Sequence, residues 1–301
     1  MKKTNLWWIS CSRFLSGYSE NIIYFLLPIV AYKAVGRIQD TGLIIFIHLS
    51  CRLLGYPFSG VLCDKIGEKK VFILVSFVRG AACLLVFWLL GPFHQEQSSL
   101  PILMFNLLGI VDGFAGGVAS IAFETMGPRL YPNERFRDFQ ASVQTADQIA
   151  LIAAPATGVV LLNSLGTSYS LAILGIIFMF AGIMFLPYLK IVSSDGDITP
   201  SSLRDSGFII QEVLASLSII FNNRLIAVTL ILTILDNLLL GIYSAITTPL
   251  ALVTFHGSEQ SLGLALTLGY LASMIAIYYS HWIHQKKSNL WLWKGSYIIA
   301  Y

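Results

Sequence analysis

Apolar residues run through the chain in long blocks separated by short polar interruptions. A helix needs about 20 apolar residues to cross the hydrocarbon core of a bilayer. Eight blocks reach that length, at residues 5–32, 41–63, 70–92, 101–125, 139–163, 168–190, 225–253 and 259–283. A ninth begins near Leu290 and runs to Tyr301. The blocks are too long for strands and do not alternate apolar with polar, so they predict membrane-spanning helices and not a β-barrel. Arg13 and Glu20 interrupt the first block and no small-residue cleavage site follows it cleanly. It therefore reads as an uncleaved first helix rather than a secretory signal.

Composition agrees with the pattern. The 301 residues are 56% hydrophobic and 12% charged, with a mean hydropathy of +0.74. A soluble domain carries about a quarter charged residues. This excludes an ordinary cytosolic enzyme, a disordered chain and a nucleic-acid-binding protein, and the net charge of +3 points to no polyanionic partner. Cys11, Cys51, Cys63 and Cys83 lie mostly in apolar runs without metal-ligand spacing, as small packing residues do.

The basic residues orient the chain. With the N-terminus inside, thirteen of the 19 Lys and Arg fall on the inner side, Lys33 and Arg37 fall outside, and four lie within spans. That asymmetry follows the positive-inside rule. Most loops are short, but the stretch from Ile191 to Arg224 is long and polar. It divides the chain into a six-helix bundle (1–190), a cytoplasmic linker (191–224) and a partial second bundle (225–301). Within the linker, Phe208, Ile209, Val213, Leu214, Leu217 and Phe221 recur at helical spacing. This fits an amphipathic helix on the inner membrane surface or a lead-in to the seventh span.

The turn between the second and third spans reads Gly60-Val-Leu-Cys-Asp64-Lys65-Ile-Gly67-Glu68-Lys69-Lys70. Gly60 allows close helix approach, Gly67 a tight turn, and the lysines hold the turn inside. The sequence resembles motif A of the major facilitator superfamily, with Glu68 where a base is common. The resemblance implies that Asp64 acts as a conformational latch between two helical halves. On the fifth span, Pro155 and Gly158 of Ala154-Pro-Ala-Thr-Gly158 resemble the exporter motif C of that family, with two of its glycines replaced. The arginine many exporters carry on the fourth span is missing. The likeness runs from about Leu6 to about Pro249 and is nearest to the branch of enterobactin exporters and related bacterial efflux pumps. It implies an all-α membrane protein of the major facilitator fold, here with a six-helix half and a partial second half, apparently short at its C-terminus. Twelve helices are usual in the family, so transport by this chain alone is an open expectation.

Ionisable residues inside a bilayer are costly and are candidates for function. The first half has three embedded bases, Arg13, Arg52 and Arg79, and three embedded acids, Glu20, Asp112 and Asp147. Equal numbers predict pairing within the half. At about 1.5 Å per residue, Glu20 and Asp112 lie roughly 20 Å from the inner end, and Arg13, Arg52, Arg79 and Asp147 roughly 10–15 Å. Arg13 and Glu20 are seven apart on one helix face, so a water or substrate between them would bridge them. Arg79 and Asp147 are weighed as a structural ion pair against a role in transport. Helices 1, 4, 7 and 10 line the cavity in the family, which would put Glu20 and Asp112 on the substrate path. Tyr18, Tyr24, Phe105, Phe114, Phe123 and Tyr243 are on those helices too. On the seventh span, Asp236 has no base at its depth in the second half, which makes it a candidate for reversible protonation, with Asn237, Tyr243 and Ser244 nearby.

These readings converge on a secondary transporter: proton-coupled export of a small amphipathic or chelating molecule, a drug or siderophore, by alternating access. The alternatives are an importer or lysophospholipid flippase on the same fold, or a truncated non-transporting membrane protein. No P-loop or His-Glu-x-x-His motif occurs, and no enzyme activity, cofactor or metal is expected. His281 and His284 are three apart but sit at a helix end beside Lys286. The expected partners are the bilayer, a small-molecule substrate and protons, with the chain a monomer in the inner membrane.

Overall fold

A computed structural model describes residues 4–35, 37–90, 100–131, 134–191, 222–255 and 257–286. Among these every regular element is helical. Helix α1 is Thr4–Val35, α2 Ile38–Ile66, α3 Glu68–Leu89 and α4 Leu100–Leu130. The run Glu134–Ile191 leaves helical geometry at Gly166 (φ 77°, ψ 175°). It forms two helices there, α5 (134–165) and α6 (167–191). Helix α7 is Arg224–Pro249, a π turn covers Leu250–Thr254, and α8 is Glu259–Lys286. The expected seventh span thus ends at Pro249 and passes into the π turn. Ser258 accepts from the Ser261 N–H at 3.1 Å and so caps α8. The amphipathic stretch from Phe208 to Phe221 and the block from Leu290 lie outside the described residues.

The helices α1 to α4 and the run holding α5 and α6 are long and apolar enough to cross a membrane. Their outward faces carry Phe46, Leu74, Leu85, Ile176 and Phe180, all exposed. Ser12, Ser16, Ser19, Glu20, His48, Arg79 and Asp112 are buried. Polar groups inside and apolar groups outside is the arrangement a lipid environment selects. Trp7, Trp8 and Trp88 are exposed near span ends, where an interfacial belt sits.

Small residues set the helix spacing. On α4, Gly113 and Gly117 lie against the backbones of His48 and Arg52 on α2, and Gly109 faces Ile44. The two helices therefore run parallel, matched in steps of four residues. Helices α1 and α5 are also parallel and in register. Ser10 bonds Ser142 at 2.7 Å, Arg13 bonds Asp147, and Phe25 closes on Gly158. On α3 and α6, a Cβ at Gly80 would stand 2.8 Å from the Gly175 carbonyl oxygen, so only glycine fits there.

The first six helices bury two apolar clusters. One contains Ile22, Ile29, Phe105, Leu108, Leu174 and Phe178, the other Ile9, Phe72, Phe123, Phe139 and Phe185. Along α1, α3, α4 and α5 the charged residues fall between the segments that feed these clusters. The result is an ionic layer held between two apolar layers.

Candidate functional site

Four helices supply one buried network to that layer. The Glu20 carboxylate on α1 accepts from Arg52 on α2 and, at 3.0 Å, from Arg79 on α3. Arg79 Nε also donates to Asp112 Oδ1 on α4 at 2.7 Å. Its guanidinium lies 4.1 Å from the Phe178 ring centroid, a cation–π contact. Arg52 Nε donates to the Tyr56 hydroxyl at 3.2 Å. Arg79 is 0% exposed and Asp112 1%.

A second pair closes the layer. Arg13 Nε and Nη2 donate to the two oxygens of Asp147 at 2.8 and 3.1 Å. This is the bidentate fork that suits a guanidinium to a carboxylate. Three acids thus meet three bases, and their formal charges cancel.

Several expectations need correction. Arg79 and Asp147 do not pair with each other. The parallel register of α1 and α5 gives Asp147 to Arg13, and Arg79 is taken by Glu20 and Asp112. Arg13 and Glu20 do not need a bridging molecule, since each has its own partner on another helix. Glu20 and Asp112 are enclosed by the six-helix half and do not line the cavity described next. Phe105 and Phe123 are buried in the two apolar clusters.

The cavity lies where α1 and α5 meet α7 and α8. Asn21, Tyr24, Tyr243, Thr247, Thr248 and Tyr270 give it polar groups, and Phe25, Pro28, Leu151, Ala154, Pro155 and Leu266 complete the wall. Among the described residues no lining side chain is charged. Tyr24 and Tyr243 are the members of the predicted aromatic set that reach it. Pro155 and Gly158 work on opposite contacts of α5: Gly158 receives Phe25 of α1, and the Pro155 carbonyl lies 3.1 Å from where a Cβ on Gly263 of α8 would be. The side chains of Asp236 and Asn237 lie outside the described residues.

In the α2–α3 turn, Gly67 adopts φ 86° and ψ 140°, ends α2 and starts α3, and its N–H donates to the Cys63 carbonyl at 2.9 Å. Gly60 does not make the close approach expected of it, because nothing stands within 4 Å of a Cβ placed there. Gly55, one turn earlier, takes that part against Phe114, Gly117 and Val118 of α4. Asp64 and Lys65 are exposed, Lys70 is exposed and Lys69 half-buried. Asp64 makes no hydrogen bond or ion pair among the described residues.

Sequence reading missed His48. Its ring is 1% exposed, and Nδ1 lies 3.8 Å from Asp112 Oδ2. It also missed the Gly109, Gly113, Gly117 repeat, whose spacing of four is a recognisable sign of close helix contact.

The family model of the Major Facilitator Superfamily matches residues 9–301. The chain belongs to this superfamily. Among curated proteins it is similar to the enterobactin exporter EntS of Citrobacter koseri, 26% identical over 180 residues, covering 59% of this chain and 42% of the relative. It is similar to EntS of Salmonella typhimurium at 25% identity over 182 residues, covering 60% of this chain and 43% of the relative. The match thus spans less than half the length of these relatives. A crystal structure of a D-xylose-proton symporter shares the fold, with a TM-score of 0.66 at 14% identity, covering 93% of this chain and 68% of that one. The superfamily membership and the membrane-length helices make the chain a multi-pass membrane protein of a transporter family.

Proposed function

We propose that the chain serves proton-coupled export of a small amphipathic or chelating molecule by alternating access, with its N-terminus on the cytoplasmic side of the inner membrane. The observation that carries this reading is the tyrosine-rich cavity at the seam between α1 and α5 and the pair α7 and α8, whose described lining carries no charge. A site at such a seam is reached from one side or the other as the two groups of helices rock. Its lining favours an aromatic molecule with hydroxyl or carbonyl groups, which stacks on Tyr24, Tyr243 or Tyr270 and bonds to Asn21 and the threonines. The similarity to enterobactin exporters supports export and a chelating substrate of that kind. The turn around Gly67, with Asp64 and Lys65 exposed, is free to meet a surface of the second half, the latch that the family resemblance implies. Substrate, proton and bilayer are then its partners, and the chain acts as a monomer.

Purified full chain in proteoliposomes tests the reading. An imposed pH gradient, acidic on the side where the substrate emerges, drives enterobactin across the membrane in the wild type. Uptake in the proton's own direction would reverse the assignment to import. No movement of enterobactin or of the dye ethidium under either gradient would defeat the transport reading for this chain.

A further inference from the structure

We propose that the His48–Asp112 pair is where the transported proton is held, one contact away from the cavity. The proposal rests on the transporter reading above. Both residues are sealed from solvent, and the 3.8 Å between His48 Nδ1 and Asp112 Oδ2 is too long for a hydrogen bond. Neither ring nitrogen of His48 makes a hydrogen bond among the described residues, and neither does Asp112 Oδ2. Buried polar atoms are nearly always bonded, so these orphans, of which Nδ1 and Oδ2 stand together, mark a site that another state completes. The neutral ring carries its one N–H on either nitrogen, whereas protonation places an N–H on Nδ1 in every case and gives it a positive charge. A neutral imidazole has one N–H, and the imidazolium has two. With both ring nitrogens protonated, the Nδ1–H donates to Asp112 Oδ2 after a side-chain movement of about 1 Å. The step is protonation alone: one H⁺ adds to a ring lone pair, and the same H⁺ leaves on deprotonation.

The surroundings decide what the proton does. The Tyr24 ring of α1 and Asp112 of α4 stand beside His48, and the charges of Glu20 on α1, Arg79 on α3 and Arg52, one turn along α2, act on it at longer range. With His48 neutral, Glu20 and Asp112 balance Arg52 and Arg79. The added charge draws Asp112 Oδ2 toward the imidazolium while Oδ1 holds Arg79, which puts a load on the 2.7 Å bond that ties α3 to α4. The backbones of α2 and α4 are already in contact at Gly113, so the side chains move and the helices do not. The Tyr24 ring stands 5.8 Å from the imidazole centroid and also lines the cavity. Proton binding is therefore felt at the cavity wall, and a molecule on Tyr24 is felt at the proton.

Ring-¹⁵N histidine NMR on the full chain in nanodiscs tests this directly. Replacing His94, His256, His281 and His284 by Gln leaves His48 as the single imidazole. We expect one ring proton at pH 8 and two at pH 5. Asp112→Asn should lower the proton-binding constant of the ring about tenfold, so that the second ring proton appears about one pH unit lower, the loss of roughly one charge-assisted hydrogen bond. A single ring proton at both pH values, or an unchanged binding constant in Asp112→Asn, overturns the proposal. In proteoliposomes, His48→Gln should remove the gain in enterobactin accumulation that a pH gradient gives, and an undiminished gain overturns the coupling role. If the wild type moves no probe, the transporter reading fails by itself and the NMR titration still decides whether the pair takes a proton.

Discussion

Glu20 and Tyr24 are one helical turn apart on α1 and belong to regions built in opposite ways. Glu20 sits in a sealed ionic layer where every carboxylate has a guanidinium. Tyr24 opens on a cavity with no charge among the described residues that line it. The difference separates two tasks that intramembrane charges are often assumed to share. A buried charge held by an opposite charge fixes which helices meet and in what register, and is not free to take a charged substrate. Neutral hydroxyls and aromatic faces can hold a molecule and let it go without leaving an uncompensated charge in lipid. The contrast holds only if the two regions respond differently to mutation.

The hardest blow to it comes at Arg79. Arg79→Leu removes the group that joins Glu20 to Asp112 and leaves Asp112 without its guanidinium in a dry interior. Breaking a buried pair in this way costs about 3–5 kcal/mol. We expect little folded protein by size-exclusion chromatography in detergent, and a steep loss of melting temperature in whatever remains. If Arg79→Leu melted like the wild type, the layer would not be structural at all. Next in size is the α2–α4 crossing. Gly113→Leu places a side chain on the His48 backbone, and overpacking of this kind costs about 1–3 kcal/mol. Gly60→Leu, at a position with open space, should stay within about 0.5 kcal/mol. Thermal unfolding of the two variants side by side checks the difference.

Much of the fold was legible and little of the pairing was. Block length alone predicted the spans, because a bilayer imposes it, and the turn at Gly67 was legible because a tight reversal between two long helices needs a positive φ. Span ends were less so: α4 continues to Leu130 and α5 begins at Glu134, beyond the apolar blocks, because polar residues extend a helix once it leaves the lipid. Pairing depends on tertiary register, which spacing along one helix does not contain. Depth also misled, placing Arg79 a turn or more away from Glu20 and Asp112. A guanidinium on its three-carbon stem reaches that far, so Cα depth is a poor guide for arginine. His48 has no sequence signal of its own, standing in an apolar run with no second histidine or acid three or four residues from it. Only the glycine repeat on α4 pointed to the helix against which it is pressed.

A smaller effect tests the outer edge of the layer. Arg13 and Asp147 are 15% and 28% exposed at their side chains, so water already shields part of their attraction. A double-mutant cycle of Arg13→Gln and Asp147→Asn should give a coupling of about 1 kcal/mol, well below the cost at Arg79. Equal costs at the two places would mean that the whole layer is equally dry, and that the Arg13 end offers water no easier route in than Arg79 does.

The smallest effect on stability, and the sharpest on function, belongs to the cavity. Tyr243 is exposed at the seam on α7 and contributes a hydroxyl and an aromatic face to the lining. Tyr243→Phe keeps the face and removes the hydroxyl, so the melting temperature should hold, with a stability change within about 0.5 kcal/mol. A hydrogen bond to a bound molecule is worth about 0.5–1.5 kcal/mol, which is roughly a 2–10-fold weaker affinity for enterobactin by titration calorimetry. Tyr243→Ala removes the face as well and should weaken binding further with little added loss of stability. If both variants bound enterobactin as the wild type does while Glu20→Gln, in the sealed layer, did not, the division of labour along α1 would be inverted. The molecule would then have to reach the charges through the wall that Tyr24 forms.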